Sequence, residues 1–333
     1  IGTYIVACDG GQSFVRRQLN ISMKDFKFNN TWLVADVLLK NKYKNETASL
    51  SNIHQQVCDP KWPRTYVSGH QSHRRWEFML RKGDEKQAVA KKENVEKWLS
   101  KWVDLDKIDL LRTDIYTFHG LLAKKWQDKR IFLAGDAAHM MPPFLGQGLC
   151  CGLRDVQNLS WKLDAVLSEK ASENLLHSYQ EERYMHTEAL IKGAITLGNI
   201  IQTENKIVAS FRNFILKTIN KIAKLKPFIR AVILKKQPLK KGFLGINCPQ
   251  LIGRLFIQPK VLDKQGEKFY LDTCFEHHFV LFLRKNAITN TPNISYLKEK
   301  LHLKILTLDK DIIDSENVLT KWFSKHKIDF VII

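Results

Sequence analysis

The stretch from Arg130 to Leu167 constrains the fold more than any other. Ile131-Phe132-Leu133-Ala134 is a short unbroken apolar run of the kind that forms a strand buried on both faces. It ends in Gly135-Asp136, and a loop carrying Pro142, Pro143, Gly146 and Gly148 follows. From 149 to 167 apolar residues recur at helical spacing, with Leu153, Val156, Leu159, Leu163, Val166 and Leu167 expected on one buried face. Strand, glycine turn and helix in this order predict an open α/β sheet, whose ligands sit at the carboxyl ends of the strands. Asp136 falls at such an end, where a carboxylate can accept hydrogen bonds from a ribose. Gly146, Gln147 and Gly148 lead into the helix start, whose free N–H groups and positive dipole favour an electron-rich ligand. Glycines there let a backbone approach a ligand closely. The plainer reading is a loop whose glycines only turn the chain, and these residues alone leave both open.

Other segments surround this unit. Tyr4–Ala7 reads as a strand, followed by the turn Asp9-Gly10-Gly11 and a short helix through Phe14, Val15 and Leu19. Trp32–Leu39, Thr65–Val67 and Trp76–Leu80 read as strands of an antiparallel sheet, with Gly69-His70-Gln71-Ser72 as a hairpin-type turn. Lys86–Val103 has helical spacing, and Asp114–Phe118 reads as another strand. Helical patterns continue to about Arg230, and Pro227, Pro238 and Pro249 punctuate a loop-rich segment. From Tyr270 the order is strand (Phe279–Leu283), helix (Ile294–Leu301), strand (Leu303–Leu308), helix (Ser315–Ser324) and a last strand, which predicts a separate small α/β domain. The chain opens on Ile1-Gly2-Thr3 and closes on Phe330-Val331-Ile332-Ile333, both strand-like, so it reads as a segment of something longer.

Composition narrows the function classes. The 333 residues, 44% hydrophobic and 26% charged, are ordinary for globular domains and exclude a wholly disordered chain. No window approaches the ~20 apolar residues of a spanning helix. The six cysteines form no CxxC pair and no zinc-type spacing, so no metal is expected, and a reducing cytoplasmic setting is. Net charge is +19, and Thr203–Gly242 holds eleven Lys/Arg against Glu204 alone, hence 11 − 1 = +10 of it. A solvated helix face is the favoured reading of that stretch, ahead of a membrane-surface helix. Nucleic-acid binding comes last, because no base-stacking platform or binding module is present.

Two motifs carry a resemblance. The run Ile131–Gly148, continued by Arg154-Asp155-Val156-Gln157-Asn158-Leu159-Ser160-Trp161-Lys162-Leu163, resembles the second FAD fingerprint of the class A FAD-dependent aromatic hydroxylases, the single-component flavoprotein monooxygenases. Tyr4–Arg17, with Asp9, Gly10, Ser13 and Arg16, resembles the same family's Asp-Gly fingerprint, which serves FAD and reduced nicotinamide. Cys58-Asp59-Pro60, Arg74–Leu80 and Tyr116-Thr117-Phe118-His119 are similar to a subgroup acting on phenolic aromatic acids.

The resemblance implies a mixed α/β (α+β) fold in three parts: a Rossmann-like FAD/NAD(P)-binding domain lacking its first βαβ, an antiparallel-sheet substrate domain, and a C-terminal thioredoxin-like α/β domain. It places the FAD-binding domain at 1–24 and 121–200, the sheet domain at 25–120, a basic helical and loop linker at 201–250, and a truncated thioredoxin-like domain at 251–333. It implies hydroxylation of a phenolic acid such as 3-(3-hydroxyphenyl)propanoate with NAD(P)H and O2, through a flavin C4a-hydroperoxide. Cofactor contacts would come from Asp9, Gly10, Ser13, Arg16, Gly135, Asp136, Gly146, Gln147, Gly148, Leu149 and Cys150. Pro143 would shape the oxygen-transfer pocket. Tyr116, His119 and Arg75 are the substrate candidates; of Arg74 and Arg75 at most one points inward. His139 reads as a structural histidine ahead of a base. The resemblance also allows a homo-oligomer, and neither nucleic acid nor a membrane is an expected partner.

Two departures stand out. No Gly-x-Gly-x-x-Gly occurs in these residues, which predicts weak FAD binding, and Cys150 stands where the family has Asn. A catalytically silent flavoprotein remnant, or a basic peripheral-membrane or interaction module, is the competing reading.

Overall fold

The computed structural model describes residues 2–40, 52–81, 83–222, 238–242, 244, 250–275, 278–284, 299 and 303–333. The chain divides into two compact units, Ile1–Trp161 with Leu176–Phe243, and Lys162–Leu175 with Leu244–Ile333.

In the first unit, strand β1 (Ile5–Ala7) leads through a turn into α1 (Phe14–Gln18). The long strand β2 (Met23–Leu39) follows, then β3 (Gln55–Val57), β4 (Arg64–Ser68) and β5 (His73–Met79). Helices α2 (Lys86–Val89) and α3 (Lys92–Leu99) precede β6 (Ile108–Ala123). Short strands β7 (Gln127–Asp128), β8 (Ile131–Leu133) and β9 (His139–Met140) lead to α4 (Gly148–Leu167), α5 (Ser178–Ile201) and α6 (Lys206–Lys221).

Six strands form an antiparallel sheet in the order β3-β4-β5-β2-β6-β9, and β1-β8-β7 form a small second sheet. Successive strand residues alternate faces. On one face of the large sheet Leu33, Ala35, Val37, Trp76 and Phe78 build a core that Val95 and Leu99 of α3 cover. The other face carries Trp32, Val34 and Asp36.

Three elements differ from the sequence expectation. β2 is about twice as long as Trp32–Leu39, because its polar first half is held by pairing with β6 rather than by burial. The helical stretch at Lys86–Val103 is two helices: the Ala88 carbonyl accepts from Lys91 N–H (3.2 Å) and the Asn94 amide (2.7 Å), and the helix restarts. In α4 the buried positions of the first unit are Cys151, Asp155 and Leu159; of the expected apolar face Leu159 is buried, Leu163 and Val166 are half-buried, and Leu153, Val156 and Leu167 are exposed.

The second unit contains the hairpin β10 (Lys260–Leu262) and β11 (Lys268–Tyr270), then β12 (Val280–Leu283), β13 (Lys304–Thr307), α7 (Val318–His326) and β14 (Phe330–Ile332). β12 lies between β13, parallel, and β14, antiparallel. Val280, Phe282, Leu306, Leu319 and Phe323 form its core. Most of the predicted helix Ile294–Leu301, and the predicted helical continuation from Ala223 to Arg230, lie outside the described residues.

Candidate nucleotide-cofactor site

Parallel pairing of β1 with β8 puts Ala7 opposite Leu133, and Ala134 N–H donates to the Ala7 carbonyl at 3.0 Å. The two glycine turns that follow these strands therefore leave the sheet side by side. Arg16 locks them together. Its buried guanidinium donates to the Ala137 carbonyl and the Gly11 carbonyl, each at 2.7 Å. Ser13 is buried and its Oγ accepts from Arg16 N–H at 3.0 Å; Asp9 Oδ2 accepts from Val15 N–H at 3.1 Å. Slight burial works against the Asp9 carboxylate, but the Ser13 hydroxyl and backbone N–H groups outweigh it and hold the carboxyl below its usual range. Ser13 and Arg16 thus act on the chain itself, capping α1 and tying it to the second turn.

A buried ionic cluster fixes that second turn from behind. Gly135 has φ +59°, and its N–H donates to Asp155 Oδ2 at 3.2 Å. The same oxygen lies 2.6 Å from His139 Nε2, and Asp155 Oδ1 accepts from Arg183 Nε at 2.9 Å. Cys151 Sγ sits 3.3 Å from Thr187 Oγ1 and 3.6 Å from Arg183 Nη2. Burial opposes the charged imidazole, yet the Asp155 carboxylate and the Cys151 sulfur outweigh it and raise the His139 pKa to about 9. His139, Cys151 and Asp155 bring ligand atoms within 4.8 Å of one another, as in a metal site. Here the Arg183 guanidinium already supplies the positive charge that a cation would bring.

The open side of the turn is different. Asp136 is exposed and makes no hydrogen bond among the described residues. Pro143–Leu145 form a single 3-10 turn that ends on Gly146, at φ +59°, with Gly146 N–H on the Pro143 carbonyl (2.8 Å). Gln147 Oε1 accepts from Arg154 at 3.3 Å, so its side chain is tied to α4. α4 then begins at Gly148, with Leu149 and Cys150 exposed and their first-turn N–H groups directed outward. A Cβ added at Gly10, Gly146 or Gly148 would meet nothing within 4 Å. Bare backbone, a helix N-terminus and a carboxylate with no hydrogen bond among the described residues all lie exposed in this segment, a set of groups that fits a flat, electron-rich ring joined to a ribose.

The substrate candidates divide. Arg75, opposite Asp36 on β2, and Tyr116, opposite Trp32, project from the same sheet face. Arg75 grips Asp36 with Nε at 2.7 Å and Nη2 at 3.1 Å; Arg112 and His73 each reach the same carboxylate at 3.3 Å. Tyr116 donates to Asp114 Oδ2 at 3.0 Å. That face meets the cofactor loop through Trp32 and Phe144, with ring centroids 6.0 Å apart. His119 pairs with Asn29 (2.6 Å) on the opposite face and does not join them. Arg74 also points the other way, buried, with Nη1 on the Gln71 and His73 carbonyls. Sequence reasoning missed Asp36, Arg112, Asp155 and Arg183. Asp36 did leave a signal, one acid inside the apolar run WLVADVLL, because a charge in such a strand needs partners.

Parallel strands feeding a glycine turn, a helix N-terminus and a free strand-end carboxylate define a protein that binds a nucleotide-type cofactor. Residues 2–194 match the FAD binding domain family, and the chain belongs to it. The group the open site fits is accordingly FAD.

Among relatives, the chain is 35% identical over 285 residues to a protein of Klebsiella pneumoniae subsp. pneumoniae named 3-(3-hydroxy-phenyl)propionate/3-hydroxycinnamic acid hydroxylase, covering 84% of this chain and 50% of that one. A protein of the same name from Escherichia coli O157:H7 is 31% identical over 358 residues, covering 99% of this chain and 62% of its own length. Thus the chain spans about half to three-fifths of these relatives. Its fold is similar to that of aklavinone-11 hydroxylase, solved with FAD and aklavinone (TM-score 0.73, 17% identity, 96% of this chain and 60% of that one). It is also similar to an anhydrotetracycline hydroxylase from Streptomyces rimosus (TM-score 0.73, 19% identity, 99% and 63%).

Proposed function

We propose that this chain carries the flavin and substrate sites of an FAD-dependent monooxygenase that hydroxylates a phenolic aromatic acid, such as 3-(3-hydroxyphenyl)propanoate, with NAD(P)H and O2. The observation that carries this reading is the Arg16 clamp, which joins two fingerprints 121 residues apart in sequence into one open site. Asp136 accepts hydrogen bonds from the ribose. Backbone N–H groups of Leu149 and Cys150, at the positive end of α4, donate to the electron-rich edge of the flavin ring. Gly10, Gly146 and Gly148 leave room for close approach, and Pro143 borders the side on which oxygen is transferred. The chemistry FAD supplies when bound is hydride acceptance from the nicotinamide and activation of O2. Exposed Leu149 and half-buried Phe144 serve to exclude water from the site.

On the sheet face, Tyr116 orients the phenol and the cations around Asp36 attract the acid group. Two arginines share one carboxylate there beside His73, and Arg112 is half-exposed, which leaves positive charge in reach of an anion. The relatives' names support the choice of a phenylpropanoid acid. The test is NAD(P)H oxidation with and without the phenolic acid, read alongside chromatography of the product. Substrate-stimulated oxidation with a hydroxylated product supports the reading. Oxidation without product marks an uncoupled oxidase, and absence of flavin binding defeats the proposal.

A further inference from the structure

α6 is docked with the wrong side inward. At 100° per residue, Ala209 and Arg212 share one side of this helix, and they are its buried positions among the described residues. Arg212 anchors it by donating from Nη1 to the Ile200 carbonyl (2.9 Å) and from Nη2 to the Cys58 carbonyl. Ile207, Phe211, Phe214 and Thr218 lie on the opposite side. Ile207 is 82% exposed, Phe211 66% and Phe214 68%, with Ile215 and Ile222 exposed at its edge. A helix on a globular domain ordinarily turns such a stripe to the core. Here the stripe faces away from the unit, and scattered exposure of single apolar residues does not account for it. The sequence favours a solvated helix face for this stretch; the lysines are exposed as that reading has it, and the apolar stripe is exposed with them.

The charge around the stripe selects the partner. Exposed Lys206, Lys217 and Lys221 flank it on one side, and α6 contains no acid. Between Thr203 and Gly242 the balance is +10. A second copy of this chain would bring like charge against like charge. An anionic lipid surface offers both halves of what the helix presents: headgroup charge for the lysines and an acyl boundary for the two phenylalanines. We propose that α6 is a membrane-surface docking helix, lying in the plane of an anionic bilayer with Phe211 and Phe214 inserted and Arg212 holding it to the domain. The site is separate from the flavin cradle, so it stands or falls independently of the proposed activity.

The test is co-sedimentation of the full chain with vesicles of phosphatidylcholine alone and of equal parts phosphatidylcholine and phosphatidylglycerol. Binding is expected on the mixed vesicles, weak on the neutral ones, and falling as salt rises. Phe211→Ser with Phe214→Ser should lower partitioning at least tenfold with an unchanged circular-dichroism spectrum. Lys217→Gln and Lys221→Gln should each cost about fivefold. No binding to the mixed vesicles, equal binding to both kinds, or unchanged partitioning of the variants would overturn the proposal. So would a dimer, seen by light scattering, that Phe211→Ser with Phe214→Ser dissociates, since the stripe would then cover a second copy.

Discussion

Asp155 and Asp36 are both carboxylates surrounded by cations, and they are built for different purposes. Asp155 is fully buried with His139 and Arg183, and both oxygens are spent on the cluster and the Gly135 N–H. Asp36 is nearly as buried, but Arg75, His73 and Arg112 approach it from a partly open face. In the first, the positive groups are sealed with the carboxylate and Cys151 away from solvent, so the cluster sets the backbone of the Gly135 turn. In the second the cations can turn to water or to a ligand. A sealed cluster shapes a loop, whereas an open one with surplus charge can recruit an anion.

The sharpest way to break that contrast is to remove each carboxylate. Asp155→Ala leaves the Arg183 guanidinium charged and buried without its carboxylate, and should cost about 3–5 kcal/mol in urea unfolding. A value near 1 kcal/mol would mean that the cluster is not sealed. Next comes pH. His139 is raised from its ordinary value near 6.5 to about 9, so its stabilisation is complete below about pH 6.5 and lost as pH climbs through 9. The shift corresponds to roughly 3 kcal/mol at most. Urea midpoints from pH 6 to 9.5 should fall accordingly, and His139→Gln should flatten the profile.

Smaller effects belong to the open cluster. Despite burial, Arg75, His73 and Arg112 hold the Asp36 carboxyl below its usual range, so its contribution is present at neutral pH and lost in acid. Asp36→Asn should cost about 1 kcal/mol, because its partners are solvated. Smallest is Tyr116→Phe, expected within about 0.5 kcal/mol of the parent in stability while raising KM for the phenolic acid. A stability loss as large as that of Asp155→Ala would make Tyr116 a structural residue.

The α/β frame was legible because β8 and the start of α4 are local patterns, an apolar run ending in Gly135-Asp136 and then a glycine-marked helix start. The two fingerprints could be matched one at a time. Their junction through Arg16 could not, since a guanidinium reaching the carbonyl of Ala137 leaves no mark in sequence spacing. Asp155 sat inside a quoted motif without a role, because its partners His139, Arg183 and Gly135 gather only in three dimensions. The first half of β2 was missed for want of apolar residues, as pairing alone sustains it. The apolar face of α4 was placed inward on the general rule that such faces are buried, and the stretch holding α6 was read as a solvated face without saying which side docks. In both helices polar anchors, Asp155 and Arg212, lie on the inward side.

The central claim is that the space bordered by Asp136, Gly146 and the start of α4 holds FAD. Titration of the chain with FAD, followed by quenching of flavin fluorescence, tests it most directly. Saturable binding is expected, weak for want of a Gly-x-Gly-x-x-Gly in these residues. Asp136→Ala should weaken it at least tenfold, and Tyr116→Phe should leave it unchanged. Absence of saturation, or equal affinity for the parent and Asp136→Ala, would contradict the claim.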